Sequence, residues 1–288
     1  MTVDELKVAF NALASVAKYQ GDSQVRRIHA TLTKWLRTLD LDSKGDFFYP
    51  VRQHLNRAVV HTDPEEIMDK GENRDNLFHQ LDVVEQAIHT GSAIEISRRS
   101  DPYGNGQIGL KQVWPLQLIY HDIAWYLIFE ECNNQLLAVG RINRFKNYCK
   151  VLSSKTRSLQ QQYQRLLDAH KLLEKGWGLF LGKAEEQSLE LEGKLDLIEV
   201  KVRFFPKVID FILEGELRHP KQELEKGPID SVTGKFTYLD YIVELPPRSL
   251  QEFSWWVCRH MENAEVLEPD FLRQQHYQAA LALVARYQ

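Results

Sequence analysis

The stretch HDIAWYLIFEECNNQLLAVGRINRF, residues 121–145, decides how the middle of the chain folds. The β-favouring runs AWYLIFEE (124–131) and QLLAVGRI (135–142) flank the turn-forming Cys132-Asn133-Asn134, which predicts two short strands and a tight turn. Arg141 and Arg144 close the stretch. An arginine fork binds phosphate or carboxylate in a bidentate way, so this pair beside an aromatic strand marks a candidate anion site. Alternation along a strand sends Arg141 and Asn143 to one face and Arg144 to the other, unless a bulge or the strand's end re-aims them.

Working outward, AIEIS (93–97) and QVWPLQLIY (112–120) read as further strands, separated by DPYGNG. Short strands at close spacing predict a small barrel or curled sheet. GNGQIG (104–109) satisfies the pattern G-x-G-x-x-G, but a dinucleotide site needs a helix after it, and LKQVWPLQLIY is strand-like. Asn105-Gly106 therefore reads as a hairpin turn.

Residues 4–90 read as helical. Leu6, Phe10, Leu13 and Ala17 recur at helical spacing, and Val25, Ile28, Leu32, Trp35, Leu36 and Leu39 repeat the pattern. HTDPEEIMDK (61–70) resembles a capped helix start, and NLFHQLDVVEQAIHT (76–90) a helix ending at Gly91. From Ser153 to Glu192 the pattern is helical again, with the acid-rich KAEEQSLELEGKLD (183–196) as a connector. Beyond it, LIEVKVRF, PKVIDFILEG, QELEKG, KFTYLDYIV, SLQEFSWWVCRH and AEVLEP read as β-α-β-β-α-β, the order of a ferredoxin-like split βαβ domain. A terminal helix follows from Phe271 to Tyr287. The fold class is therefore α+β.

A hydrophobic fraction of 43% and a charged fraction of 26% suit a folded protein, and a net charge of −4 argues against a surface that grips duplex DNA without specificity. MTVDELKVAF carries no signal-peptide pattern, no apolar run is long enough to span a membrane, and Cys132, Cys149 and Cys258 form no CxxC motif. These features predict a cytoplasmic chain with reduced thiols. No H-E-x-x-H, G-x-S-x-G or phosphate-loop pattern occurs, so the expectation is no enzyme, no catalytic residue, no cofactor and no metal. One charge feature departs from the rest: RINRFKNYCKVLSSKTR (141–157) holds Arg141, Arg144, Lys146, Lys150, Lys155 and Arg157 with no acid. A solvated basic face and a phosphate-binding surface both fit it.

AWYLIF followed by GRINRF is similar to the motif that names WYL-domain proteins, in which a tryptophan-tyrosine-leucine strand precedes a strand carrying two arginines. VWPLQLIY resembles that family's proline-containing second strand, and LFHQLDVVEQAIHTGSAIEI its leading helix and first strand. LIEVKVRF, the segment from His219 to Glu225 and SWWVCRHMENAEVLEPDFLR are similar to the WCX extension common at the C-terminus of such proteins. The resemblance implies a helical region over residues 1–76, an Sm-like, SH3-type barrel (WYL) over 77–151, a helical linker over 152–196 and a WCX domain over 197–288. It implies a homodimeric bacterial transcriptional regulator, often of DNA-damage, phage-defence or CRISPR genes, whose barrel senses a ligand with nucleic acid among the candidates.

Carried over by motif, the ligand-binding residues are Tyr126, Arg141 and Arg144, with His121 at the turn before the triplet. Small barrels of this kind bind single strands through cations that follow the backbone and aromatics that stack on bases, a role open to Tyr126 or Tyr120, whereas Trp125 and Leu127 read as core. Two departures stand out. Where the family carries a tyrosine near the end of its first strand, this chain has SRRS, and the aligned position is Arg98, which favours a more anionic ligand. The family's N-terminal winged helix-turn-helix is not recognisable either. A partner role without a ligand, as an adaptor or dimerisation partner for other regulators or defence components, is the competing expectation. Adjacent Trp255 and Trp256 cannot share one helix face, so one of them is a candidate interface residue.

Overall fold

The computed structural model describes residues 5–6, 9–14, 23–39, 52–54, 75–100, 108–121, 124–214 and 217–288. The chain divides into two compact units, Met1–Ala169 and His170–Gln288.

The first unit opens with helical residues 9–14 and helix α1, Ser23–Leu39. Phe10 stacks on His29 at 4.6 Å, while Ile28 and Trp35 of the predicted apolar stripe stay exposed. A short strand, β1 (Arg52–His54), corrects the all-helical reading of residues 4–90 by pairing parallel with Leu118–Tyr120. Arg-Gln-His carries no alternation to read, and its place depends only on free backbone groups along a neighbouring strand. The helix start expected at 61–70 and the hairpin turn at Asn105-Gly106 lie outside the described residues.

Asn76 opens a 3₁₀ turn, Leu77–Gln80, by accepting a hydrogen bond from Phe78 N at 2.9 Å. Helix α2 (Leu81–Thr90) continues from it, buries Val84, Ala87 and Ile88 at helical spacing, and ends at Gly91. Gly91 has φ 62°, and its carbonyl accepts from Arg157 N at 2.9 Å. A Cβ there would meet the Arg157 carbonyl oxygen at 2.2 Å, so both the backbone angle and the space require glycine.

Strands β2 (Ser92–Arg98), β3 (Gly109–His121), β4 (Ala124–Glu131) and β5 (Leu137–Arg141) form an antiparallel meander. A 3₁₀ turn, Ile142–Arg144, reverses the chain into β6 (Phe145–Thr156), which pairs with β2. The order β5-β4-β3-β2-β6 is that of an SH3-type barrel, as the resemblance implies. Strand β6 corrects the helical reading from Ser153: the helix begins only at Leu159. Most of β6 is exposed on both faces, so its sequence shows no burial-driven alternation.

Helix α3 (Leu159–Lys175) runs across the boundary between the units, and α4 (Ala184–Leu191) lies in the acid-rich segment 183–196, within the stretch read as helical to Glu192. The Glu186 carboxylate accepts from Lys183 N at 2.9 Å and so holds the start of α4.

The second unit contains β7 (Ile198–Phe204), α5 (Pro206–Glu214), β8 (Glu223–Lys226), β9 (Leu239–Leu245), α6 (Leu250–Cys258), β10 (Ala264–Glu268) and α7 (Asp270–Tyr287). Its sheet order, β10-β7-β9-β8 with antiparallel neighbours, is the split βαβ topology predicted from the element order. Val200, Val202 and Phe204 on β7 and Tyr241 and Val243 on β9 alternate onto one face and bury Phe253 and Val257 of α6. Trp256 packs on Phe204 and Trp177, and Trp255 stays 45% exposed, as adjacent positions on a helix require.

Beneath this core lies a fully buried ion pair. Arg248 donates from Nε to Glu190 at 2.8 Å, with side-chain exposures of 1% and 2%, and its remaining donors reach the Phe180 and Leu172 carbonyls. His219 is also buried: its Nδ1 accepts from Lys221 N at 3.3 Å and its Nε2 lies 3.2 Å from the Lys175 carbonyl, which requires the neutral Nε2–H tautomer.

Gly91→Ala should destabilise the first unit by at least about 1–2 kcal/mol, from the left-handed backbone alone, read as a lower midpoint in urea unfolding with an unchanged slope. The second unit should lose stability in acid. Burial holds the proton affinities of His219, His260 and His276 below the ordinary 6.5, so the unfolded state binds protons first. Their contribution is complete above pH 6.5 and is lost as pH falls from there through the folded values. A pH series of urea midpoints should show this loss, with a smaller slope in His219→Gln.

Candidate anion-binding site on the barrel

Strand β3 carries one irregularity ahead of the site. Pro115 lies opposite Phe129 of β4 and Gln117 opposite Ile128, so β3 carries one extra residue, Leu116, at a bulge. Proline has no N–H for the ladder and is tolerated at such a point. Past the bulge the register is regular: Ile119 faces Tyr126, and Tyr126 faces Arg141 across β5. Directly opposed residues share a face. Ile119, Tyr126, Ile128, Val139 and Arg141 therefore lie on one face, where Ile119 and Ile128 are fully buried and Tyr126 and Arg141 half-buried, and Leu127, Phe129 and Phe145 lie on the other, toward the barrel core.

Close packing on the core side holds β5 in place. A Cβ on Gly140 would meet the Phe145 ring at 2.6 Å and the Phe129 ring at 3.2 Å, so only glycine allows β5 this close to the two phenylalanines, whose rings meet edge to face. On the far side of β5, Arg141 is half-buried. Its Nε is buried and has no hydrogen-bond partner. A buried guanidinium donor left unpaired is costly, and an anionic acceptor would satisfy it. Tyr126 lies directly across from it, and the His121 ring meets the Tyr126 ring edge-on at 6.1 Å. Trp125 is half-buried with its ring against Tyr120 at 5.4 Å, whereas Leu127 is fully buried.

The structure thus brings Tyr126, Arg141 and His121 together. It treats Arg144 differently: β5 ends at Arg141, the 3₁₀ turn removes the alternation, and the Arg144 carbonyl accepts from Arg99 N at 2.7 Å. Arg98 sits on the opposite face. It pairs with Gly109 and Phe145 in register, in line with the buried Ile94 and Ile96, and its Nε donates to the Ser100 carbonyl at 3.3 Å.

The basic run does not act as one patch either. Arg157 turns inward, where it pairs with the buried carboxylate of Glu130, which also binds Arg165 at 2.9 Å. Arg157 further covers the Trp114 ring at 4.9 Å and donates to Gln162 at 3.0 Å. Lys155 donates to Gln112 at 2.8 Å. Lys146 and Lys150 stand exposed on β6, whose outer edge is unpaired among the described residues. Lysines on a long open edge block pairing with other chains, which accounts for them without a ligand. Glu130 was the residue missed in reading the run; its signal was a carboxylate in an otherwise apolar strand, far upstream of its partners.

Nearby, Tyr148 donates to Glu95 at 2.7 Å; this bond raises the tyrosine's proton affinity and lowers that of the carboxylate. Among the described residues no three His, Cys, Asp or Glu side chains converge to hold a metal ion, and no helix is long and apolar enough to cross a membrane.

The WCX-domain family profile matches residues 196–284. Two solved structures are similar to the chain at low identity. One is proteasome accessory factor B/C (PafBC) of Arthrobacter aurescens, with 14% identity and a TM-score of 0.24, over 67% of this chain and 25% of that one. The other is a CRISPR Cas-related protein, with 12% identity and a TM-score of 0.38, over 71% of this chain and 51% of that one. The chain therefore spans about a quarter and about half of their respective lengths. No curated protein matches the sequence. The matched segment contains the whole β10-β7-β9-β8 sheet with α5 and α6, so the second unit is similar to a WCX domain across its sheet and both of these helices.

Proposed function

We propose that the protein is a cytoplasmic, non-enzymatic regulator of the WYL class whose barrel senses an anionic ligand, with single-stranded nucleic acid as the leading class. The observation that carries this reading is Arg141, a half-buried arginine whose buried Nε lacks an acceptor, set opposite Tyr126. A phosphate oxygen would satisfy the guanidinium while a base stacks on the Tyr126 or His121 ring. The exposed lysines of β6 would add long-range attraction rather than selectivity.

The test is fluorescence anisotropy with short single-stranded DNA, single-stranded RNA and duplex DNA at low and high salt. Single-strand binding should weaken with salt, and Arg141→Ala should reduce it about tenfold or more, the worth of a charge-assisted hydrogen bond. Lys146→Ala/Lys150→Ala should alter mainly the salt slope. Failure of the folded protein to bind any of the three would remove nucleic acid, and binding that Arg141→Ala leaves intact would remove this site.

A second reading, a homodimer or an adaptor for another regulator, is supported by α7. Leu281, Leu283, Val284 and Tyr287 are 46%, 41%, 52% and 86% exposed, and they point to opposite sides of the helix. A helix apolar on all sides is ordinarily buried, and a second copy is the simplest cover. Sedimentation should give a dimer that resists salt, and Leu281→Glu/Val284→Glu should yield folded monomers. A wild-type monomer at micromolar concentration would discard the homodimer.

A further inference from the structure

Ser254 and Cys258 are four residues apart on α6 and therefore share one face of the helix, the face that meets α7. His276 of α7 reaches both. Its Nε2 lies 2.7 Å from Ser254 Oγ and its Nδ1 lies 3.8 Å from Cys258 Sγ. Ser254 is 4% exposed, whereas Cys258 is open to solvent. The imidazole thus bridges an inner hydroxyl and an outer thiol. When Nε2–H donates to Ser254 Oγ, the ring is fixed and the Nδ1 lone pair faces the thiol. This is the nucleophile, base and orienting group that thiol chemistry uses, recognised by geometry.

We propose that Cys258 is a reactive thiol, activated by His276 as general base and oriented by Ser254, and that it forms mixed disulfides with small-molecule disulfides. The Sγ–H proton moves to His276 Nδ1 as the sulfur attacks one sulfur of RS–SR. The new Cys258–S–SR bond forms, the RS–SR bond breaks, and the departing RS⁻ takes the proton from Nδ1. One thiol is oxidised and half of the disulfide is released as RSH, so no other oxidant is needed.

The other two cysteines are built differently. Burial pushes the Cys132 thiol up and that of Cys149 to about 11, and among the described residues neither is hydrogen-bonded to an imidazole. Burial alone lowers the proton affinity of His276; Glu252, Arg259, Glu265, Glu268, Asp270 and Arg273 on the packed elements do not contribute. The ring is therefore neutral at neutral pH and free to accept a proton. An adduct on Cys258 would stand at the end of α6 against α7, the helix whose C-terminal half is apolar and exposed.

The probe is 5,5′-dithiobis(2-nitrobenzoate) on the native protein, with thionitrobenzoate release followed by absorbance and the modified cysteine mapped by peptide mass. Cys258 should react first. Its rate should change by no more than about threefold between pH 8.5 and 7, because a neutral base is present throughout, and should fall only as His276 titrates below 6.5. An ordinary thiol would slow about 15-fold over the same interval. His276→Gln should restore that ordinary profile, and Ser254→Ala should slow the reaction at pH 7 without changing which cysteine reacts. An ordinary profile in the wild type overturns the proposal, whether or not the His276 variant folds. So does an unchanged profile in a folded His276→Gln protein.

Discussion

The extra residue in β3 at the Pro115–Gln117 bulge decides which side chains of that strand join the face of Tyr126. Side chains alternate along a strand, so one inserted residue moves everything beyond it to the other face. Before the bulge, Val113 and Pro115 share the core face with Phe129 and Glu131; after it, Gln117 and Ile119 share a face with Ile128 and Tyr126. The inversion puts Ile119 and His121 on the face of Tyr126, which the regular β4–β5 register sets beside Arg141, while Arg98 lies in register with the core. Gly140 completes the arrangement by letting β5 approach Phe129 and Phe145, leaving Arg141 on the opposite side.

Charge is distributed by burial more than by composition. The basic run 141–157 contains three kinds of residue once folded. Arg157 is structural, bound to buried Glu130 and covering Trp114. Lys146 and Lys150 guard an open strand edge, and Arg141 holds an unmet hydrogen-bonding demand. Buried ion pairs contribute little net stability over an apolar pair, but once present each partner needs the other. Glu130 with its two arginines follows this rule in the first unit, and Arg248 with Glu190 follows it in the second.

The second unit combines a rigid core with a responsive periphery. Trp177, Phe253 and Trp256 pack in edge-to-face and tilted ring contacts against the β7–β9 sheet, and Arg248 ties the preceding segment to the start of α6 through carbonyls and Glu190. Around that core lie three histidines whose burial favours the neutral ring, and one of them reaches an exposed thiol. Helix α7 leaves this core after Leu272, its one buried hydrophobic residue. Chemistry at its root and apolar surface along its length are thus present on one element.

Much of the fold was legible because burial imprints a period. Val200, Val202 and Phe204 alternate, Val84, Ala87 and Ile88 recur at helical spacing, and Gly91 ends its helix where the pattern stops. Where burial imposes no pattern, the reading failed: β6 is exposed on both faces and β1 is three polar residues. The candidate site divides the same way. Sequence alone singled out Tyr126, Arg141 and their neighbours through the aromatic triplet and arginine pair. Only the tertiary structure decided that Tyr126, Arg141 and His121 meet, that Arg98 faces away and that Arg157 belongs to Glu130, because those outcomes depend on strand register and on partners far away in the chain.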